Sequence, residues 1–166
     1  IRAMQVIGPA QEIRYLTQFK RKIEAFDSPT PRCSVDQTFI VILAGKSIDS
    51  MQYYYSNLFN LEKAPIMESR IRSISKAFNL PESTKYNAAA IAIRDQCLIE
   101  LDEMPKEASE RSVSQGYLSP GISIVSFKLY DRNKMINGYE SHLPNLEQSK
   151  CVIERGLNNE LIELIY

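Results

Sequence analysis

The sequence predicts an α/β fold, a Rossmann-like layered domain with a mainly parallel sheet flanked by helices. Three observations point there. Residues 39–43 are apolar at every position, which suits a strand buried on both faces, as in a parallel sheet covered by helices. Stretches of that kind alternate with stretches of helical period. The longest of the latter, residues 84–101, carries one continuous apolar stripe.

A chain of 166 residues is long enough for one domain with a sizeable core. The expected division is a Rossmann-like part over residues 1–102 and an extension over 103–166, made of a loop, a strand and a C-terminal helix.

Taken in order, residues 3–7 are a first strand, ended by Gly8-Pro9. Residues 12–26 place Ile13, Leu16, Phe19, Ile23 and Phe26 at helical spacing, with Arg14, Lys20, Arg21, Lys22 and Glu24 left for solvent. Residues 27–36, with Pro29 and Pro31, form a loop. The buried strand 39–43 turns at Ala44-Gly45-Lys46-Ser47. A helix follows, capped by Ser47 or Ser50 and apolar at Ile48, Met51, Tyr55 and Leu58. Pro65 breaks the pattern. After it, residues 66–71 read as a short strand or 67–78 as a helix.

Pro81-Glu82-Ser83-Thr84 is a helix-start signal. The helix it opens carries Tyr86, Ala90, Ile93, Cys97 and Leu101 on one side, with Ala88–Ala90 small enough for close packing. Residues 102–115 are charged and read as a loop, and 122–130 alternate as a strand. Residues 131–144 are turn-rich, 146–155 read as a helix stopped by Gly156, and 160–166 as a last helical turn or a terminal strand. No internal repeat stands out.

Composition narrows the function classes. Twenty basic residues balance twenty acidic ones, for a formal net charge of zero. A nucleic-acid binder that works by bulk electrostatics carries a clear positive excess. Cys33, Cys97 and Cys151 are widely separated, and with one histidine, His142, no metal-ligand spacing arises. No glycosylation sequon, signal peptide or long apolar run is present. The expectation is an intracellular protein, cytoplasmic or nuclear, away from the membrane. The chain opens on Ile1 rather than a methionine, which suits a segment of something longer.

Candidate chemistry is sparse. Gly45-Lys46-Ser47 sits where a phosphate loop would sit, between a strand and a helix N-terminus. A Walker loop would need a further glycine where the chain has Ile40, inside the strand. Tyr53, Tyr54 and Tyr55 point in three directions from one helix. Asp95, Glu100, Asp102 and Glu103 at the end of the long helix, and Glu154, Glu160 and Glu163 near the C-terminus, read as surface groups. No nucleophile–base arrangement follows from spacing, so no catalytic residue, metal ligand or cofactor is assigned.

Residues 39–47, FIVILAGKS, resemble one strand and turn of the MID domain of Argonaute and Piwi proteins. In that family a hydrophobic strand of the form VVILPGK leads into a helix bearing a tyrosine. The order of elements extends the resemblance over residues 3–102. It implies binding of a guide RNA's 5′ end, with Tyr53 stacking on the first base and Lys46, Ser47 and Arg94 toward the phosphate. The family's next lysine and its glutamine fall here at Asn57 and near Glu68. Three functions are therefore expected in order. The first is a non-catalytic interaction domain with a protein partner, within a larger chain or assembly. The second is a MID-like RNA-end binder, and the third a nucleotide-binding Rossmann-like enzyme acting near Gly45.

Overall fold

The structure, a computed structural model, describes residues 2–10, 12–21, 28–93, 97–128, 139–142 and 150–166, with 139–142 and 150 described by backbone alone. Ten strands and two helices lie among them. Strands β1 (Arg2–Ile7) and β2 (Ile13–Gln18) form an antiparallel hairpin. It is tied to the rest by Tyr15, whose hydroxyl lies 3.2 Å from Ser73 Oγ, and by an edge-on contact of Phe19 with Phe39 at 5.3 Å.

Two four-stranded sheets follow. The first holds β3 (Ile40–Gly45), β4 (Met67–Ser69), β5 (Tyr86–Ile93) and β6 (Cys97–Glu103), in the spatial order β3-β6-β5-β4. The second holds β7 (Ile124–Lys128), β8 (Tyr139–His142), β9 (Lys150–Arg155) and β10 (Leu161–Ile165), in the order β7-β10-β9-β8. Both orders are first-fourth-third-second. In each sheet the first strand runs parallel to the fourth, and the remaining pairs are antiparallel. The chain therefore builds one supersecondary unit twice.

The duplication is written in the sequence as well. Leu98-Ile99-Glu100-Leu101 on β6 recurs as Leu161-Ile162-Glu163-Leu164 on β10. The two copies hold the same station, the fourth strand of each unit, so the expectation of no internal repeat is corrected.

The predicted helix-flanked, mainly parallel Rossmann-like sheet is overturned. Among the described residues only β3/β6 and β7/β10 are parallel, and the helices are α1 (Ile48–Phe59) and the short α2 (Arg72–Ala77). The largest departure is the helix expected over 84–101, which is the antiparallel pair β5 and β6, in register from Ala88↔Asp102 to Ile93↔Cys97. Alanine's helical propensity is a weak prior that tertiary context overrides. Here Ala89 and Ile91 bury one face of β5 while Ala90 and Ala92 stay exposed on the other, a period of two rather than 3.6. The helices expected over 12–26 and 146–155 give way in the same manner to β2 and β9. Residues 22–27 and 143–149 lie outside the described residues, as does most of the turn-rich stretch 131–144.

Helix α1 organises the core. Ser47 caps it, its hydroxyl accepting Ser50 N–H at 3.3 Å. It ends at Asn60, left-handed at φ 50, with Leu61 N–H reaching Ser56 O at 2.8 Å, a closing geometry that satisfies the last carbonyls. Ile48, Met51, Tyr55 and Leu58 form its buried stripe. They pack against Ala89, Ile91, Ile99 and Leu101 of the first sheet and Ile162 and Leu164 of the second. Phe59 meets Phe127 of β7 edge-on at 5.0 Å. One helix thus joins both sheets in one apolar cluster, and each large side chain so buried contributes about 1.5–3 kcal/mol. No helix among the described residues is long and apolar enough to cross a membrane.

Candidate active site

Strand β6 alternates. Ile99 and Leu101 face α1 and are fully buried. Leu98, Glu100 and Asp102 therefore share the opposite face. Cross-strand partners stand on the same face as the residue they pair with, which surrounds the two carboxyls with small or aliphatic side chains. Asp102 lies between Ala44 of β3 and Ala88 of β5, and Glu100 between Ile42 and Ala90.

Asp102 is only 4 % exposed, and its Oδ1 is buried without a hydrogen-bond partner among the described residues. Burial first, and then the neighbouring Glu100 carboxylate, push its carboxyl up to about 7. Burial also raises Glu100. Two carboxyl-bearing residues on one strand face, their backbone positions about 6.6 Å apart along the strand and both carboxyls pushed toward neutrality by their surroundings, are the arrangement from which acid–base pairs are built. Solvated surface carboxylates, as the sequence reading has them, would show no such shift.

At the matching station of the second sheet, Glu163 stands between Ser126, whose hydroxyl donates to it, and Ile153. Asp102 has no acidic counterpart there, because Ile165 takes its place on β10. The duplicated scaffold carries the acidic pair in one copy only.

Of the residues predicted from the phosphate-loop and MID readings, Lys46 and Ser47 sit at the β3–α1 turn and Tyr53 on α1. Lys46 makes an exposed ion pair with Glu110 at 3.3 Å, and Ser47 is the helix cap. The N-terminus of α1 is met by the chain's own carboxylate: Ile48 N–H donates to Glu103 Oε1 at 3.1 Å, while Asn87 donates to Oε2 at 2.7 Å. A β-carbon on Gly45 would fall 2.4 Å from Asn158 Oδ1, so the glycine admits a neighbouring side chain. Tyr53 is outward-facing on α1, 65 % exposed, with the Lys63 ammonium 5.6 Å from its ring centroid. Arg94 lies outside the described residues.

The paired four-stranded units, the first with α1 between its first two strands, place the chain in the fold class of the glyoxalases, also called the vicinal oxygen chelate fold. A glyoxalase family protein from Bacillus cereus superposes with a TM-score of 0.56 at 18% identity, over 90% of this chain and 97% of that one. A fosfomycin resistance protein from Listeria monocytogenes, solved with Mn(II) and sulfate, gives a TM-score of 0.43 at 16% identity, over 78% of this chain and 89% of that one. A lactoylglutathione lyase from Agrobacterium tumefaciens gives 0.45 at 15% identity, over 78% and 92% of the two chains. No protein-family model matches the chain, and no curated protein matches it in sequence.

The first likeness establishes the fold and overturns the resemblance to a MID domain. With it fall the RNA-end reading and the Rossmann-like nucleotide enzyme, both of which rested on that layering. The non-catalytic interaction domain is overturned as well: a solved structure that shares this fold is a glyoxalase family protein.

Among the described residues no three His, Cys, Asp or Glu side chains stand close enough together to hold a metal ion. Among the described residues, then, the donors do not make up a metal centre, and the chemistry below is derived from the carboxyls alone. Sequence reasoning noted Glu100 and Asp102 but set them on a helix, where positions two apart diverge. The repeated Leu-Ile-Glu-Leu was the signal that would have found the site, since it marks two equivalent strands.

Proposed function

We propose that this protein is an enzyme that moves a proton on a small organic substrate, with Asp102 and Glu100 as its acid–base pair. The observation that carries the reading is Asp102 itself: a carboxyl nearly removed from water, without a partner at Oδ1 among the described residues, beside a second carboxyl on the same strand face. A buried polar atom without a partner costs about 1–3 kcal/mol. Such a cost is retained where the group has work to do on something that visits it. The glyoxalase fold, which the Bacillus cereus protein shares, supports an enzymatic reading by analogy of scaffold.

A carboxyl poised near neutrality both accepts and returns a proton at working pH. Ionised Asp102 takes the proton from a carbon next to a carbonyl. The bonding pair remains on the substrate as an enolate, and the proton returns to the same or the adjacent carbon. Nothing is oxidised or reduced overall.

The test is solvent exchange. The protein in D2O with hydroxyacetone, followed by proton NMR, is expected to speed loss of the carbon-bound protons above the buffer rate. Asp102→Asn, nearly isosteric, should cut that acceleration at least tenfold with its circular dichroism unchanged. Exchange at the buffer rate with the native protein, or undiminished exchange in the variant, would overturn the assignment.

A further inference from the structure

We propose that Ala90 and Ala92 of β5 are the floor on which the substrate lies, and that the substrate is a compact carbonyl compound without negative charge. The inference rests on the reading of Asp102 and Glu100 as the reacting pair.

The duplicated units allow a comparison position by position. With Glu100 set against Glu163, the neighbour of the glutamate on the third strand is Ala90 in the first unit and Ile153 in the second. One pair along, Ala92 corresponds to Arg155. On the first strand, Ala44 corresponds to Lys128, the residue that pairs with Ile165. The second unit fills its face with a branched aliphatic and two cations. The first unit leaves the same stations at alanine, and Ala44, Ala90 and Ala92 are exposed.

Alanine on an exposed strand face is costly in β-propensity compared with a branched or aromatic residue. A stripe of small residues alone would mean little. Here it adjoins Asp102, 4 % exposed and without a partner at Oδ1 among the described residues, in register with Ala88 of the same stripe. Small side chains let a ligand come close to the strand, at the level of the carboxyls, where a leucine or isoleucine would hold it away.

The charge of this face sets the chemical class. Its β3, β6 and β5 stations carry two carboxyls and no lysine or arginine. At these described stations an anionic substrate would meet like charge with no cation in register to offset it, in a setting where burial strengthens the repulsion. A compact molecule with its carbonyl toward Asp102 and an apolar flank on the alanines meets no such cost.

The experiment uses the full chain labelled with 13C at the alanine methyls, titrated with hydroxyacetone and, separately, with pyruvate. Hydroxyacetone is expected to shift the Ala90 and Ala92 methyl signals while distant alanines such as Ala64 stay in place. Pyruvate should need at least tenfold higher concentration for the same shift. Ala90→Leu, at an exposed position, should raise the half-saturating concentration at least tenfold with the melting temperature kept. Catalysed exchange with the Ala90 and Ala92 methyls unmoved, with pyruvate binding equally well, or with Ala90→Leu unaffected would overturn the floor and leave the acid–base pair standing. No exchange and no shift with the native protein would overturn both.

Discussion

The carboxylate of Glu103, the last residue of β6, accepts the backbone N–H of Ile48, the first residue of α1, at 3.1 Å. The helix that binds the two sheets together thus has its positive end answered by the strand that carries the candidate site, one residue beyond Asp102. An anion in that position compensates one of the N–H groups that a helix start leaves open.

Removing that charge should loosen the helix start. Glu103→Gln keeps an acceptor and is expected to cost about 0.5–1 kcal/mol, the usual scale of a carboxylate at a helix N-terminus. Glu103→Ala also strands the Asn87 amide, which donates to Oε2 at 2.7 Å, and should cost about 1–3 kcal/mol. Urea unfolding midpoints at fixed slope measure both. Equal stability of all three proteins would mean that water serves the helix start as well as Glu103 does.

Asp102 predicts how stability follows pH. Its carboxyl is pushed up to about 7 in the folded chain, against about 3.9 in an unfolded one, so the folded state holds the extra proton. The stability this contributes is complete below pH ~4 and is lost as pH rises through ~7. Glu100 and Glu160, both raised by burial, act in the same direction. The native protein should therefore melt at a lower temperature at pH 8 than at pH 5.5, and Asp102→Asn should flatten much of that slope. A slope that is the same in both proteins would show that Asp102 titrates like a solvated carboxyl.

Gly156 is required for space. A β-carbon there would fall 2.2 Å from Glu160 Oε1 and 2.7 Å from Tyr55 OH, and both side chains are buried. Gly156→Ala is expected to destabilise by about 1–3 kcal/mol through overpacking. At Gly116 nothing stands within 4 Å, and only the φ of +81 resists a side chain, so Gly116→Ala should cost no more than about 1–2 kcal/mol. Thermal melts of the two variants side by side make the comparison, and a reversed order would refute it.

Two tyrosines test what a buried hydroxyl contributes. Tyr55 OH has no hydrogen-bond partner among the described residues, whereas Tyr86 OH and Ser75 Oγ lie 2.9 Å apart in the interior. Tyr55→Phe removes an unsatisfied group and should be neutral or stabilising, while Tyr86→Phe leaves Ser75 alone and should cost about 1–3 kcal/mol. Tyr55→Ala, by contrast, opens the centre of the core and should cost about 3–5 kcal/mol. Calorimetric melting of the three variants distinguishes them, and a loss on Tyr55→Phe as large as on Tyr86→Phe would count against the account.

Some of this molecule was determined locally and could be read from the sequence. The run 39–43 lies in β3 but for Phe39, the Ser47 cap starts α1, and the stripe Ile48, Met51, Tyr55 and Leu58 is the one it buries. Strand β7 sits within the alternating stretch 122–130. Each depends on residues within a few positions of one another, where a cap, a turn or an apolar period acts directly. The Leu-Ile-Glu-Leu repeat was equally present in the letters, although its meaning needed the two sheets.

What only the tertiary structure decided is which strand each segment pairs with. Residues 84–101 bear alanines and an apolar stripe that an isolated chain would favour as helix. They become β5 and β6 because β6 finds β3 on one side and β5 on the other, contacts more than fifty residues distant in the case of Leu98 with Ile40. That pairing turned Glu100 and Asp102 onto one face, set them among alanines, and buried Asp102 until its charge became costly. The acidity of a carboxyl is set by the water and charge around it. Those surroundings arrive from β3 and β5, so the letters of β6 could supply the carboxyls but not their chemistry.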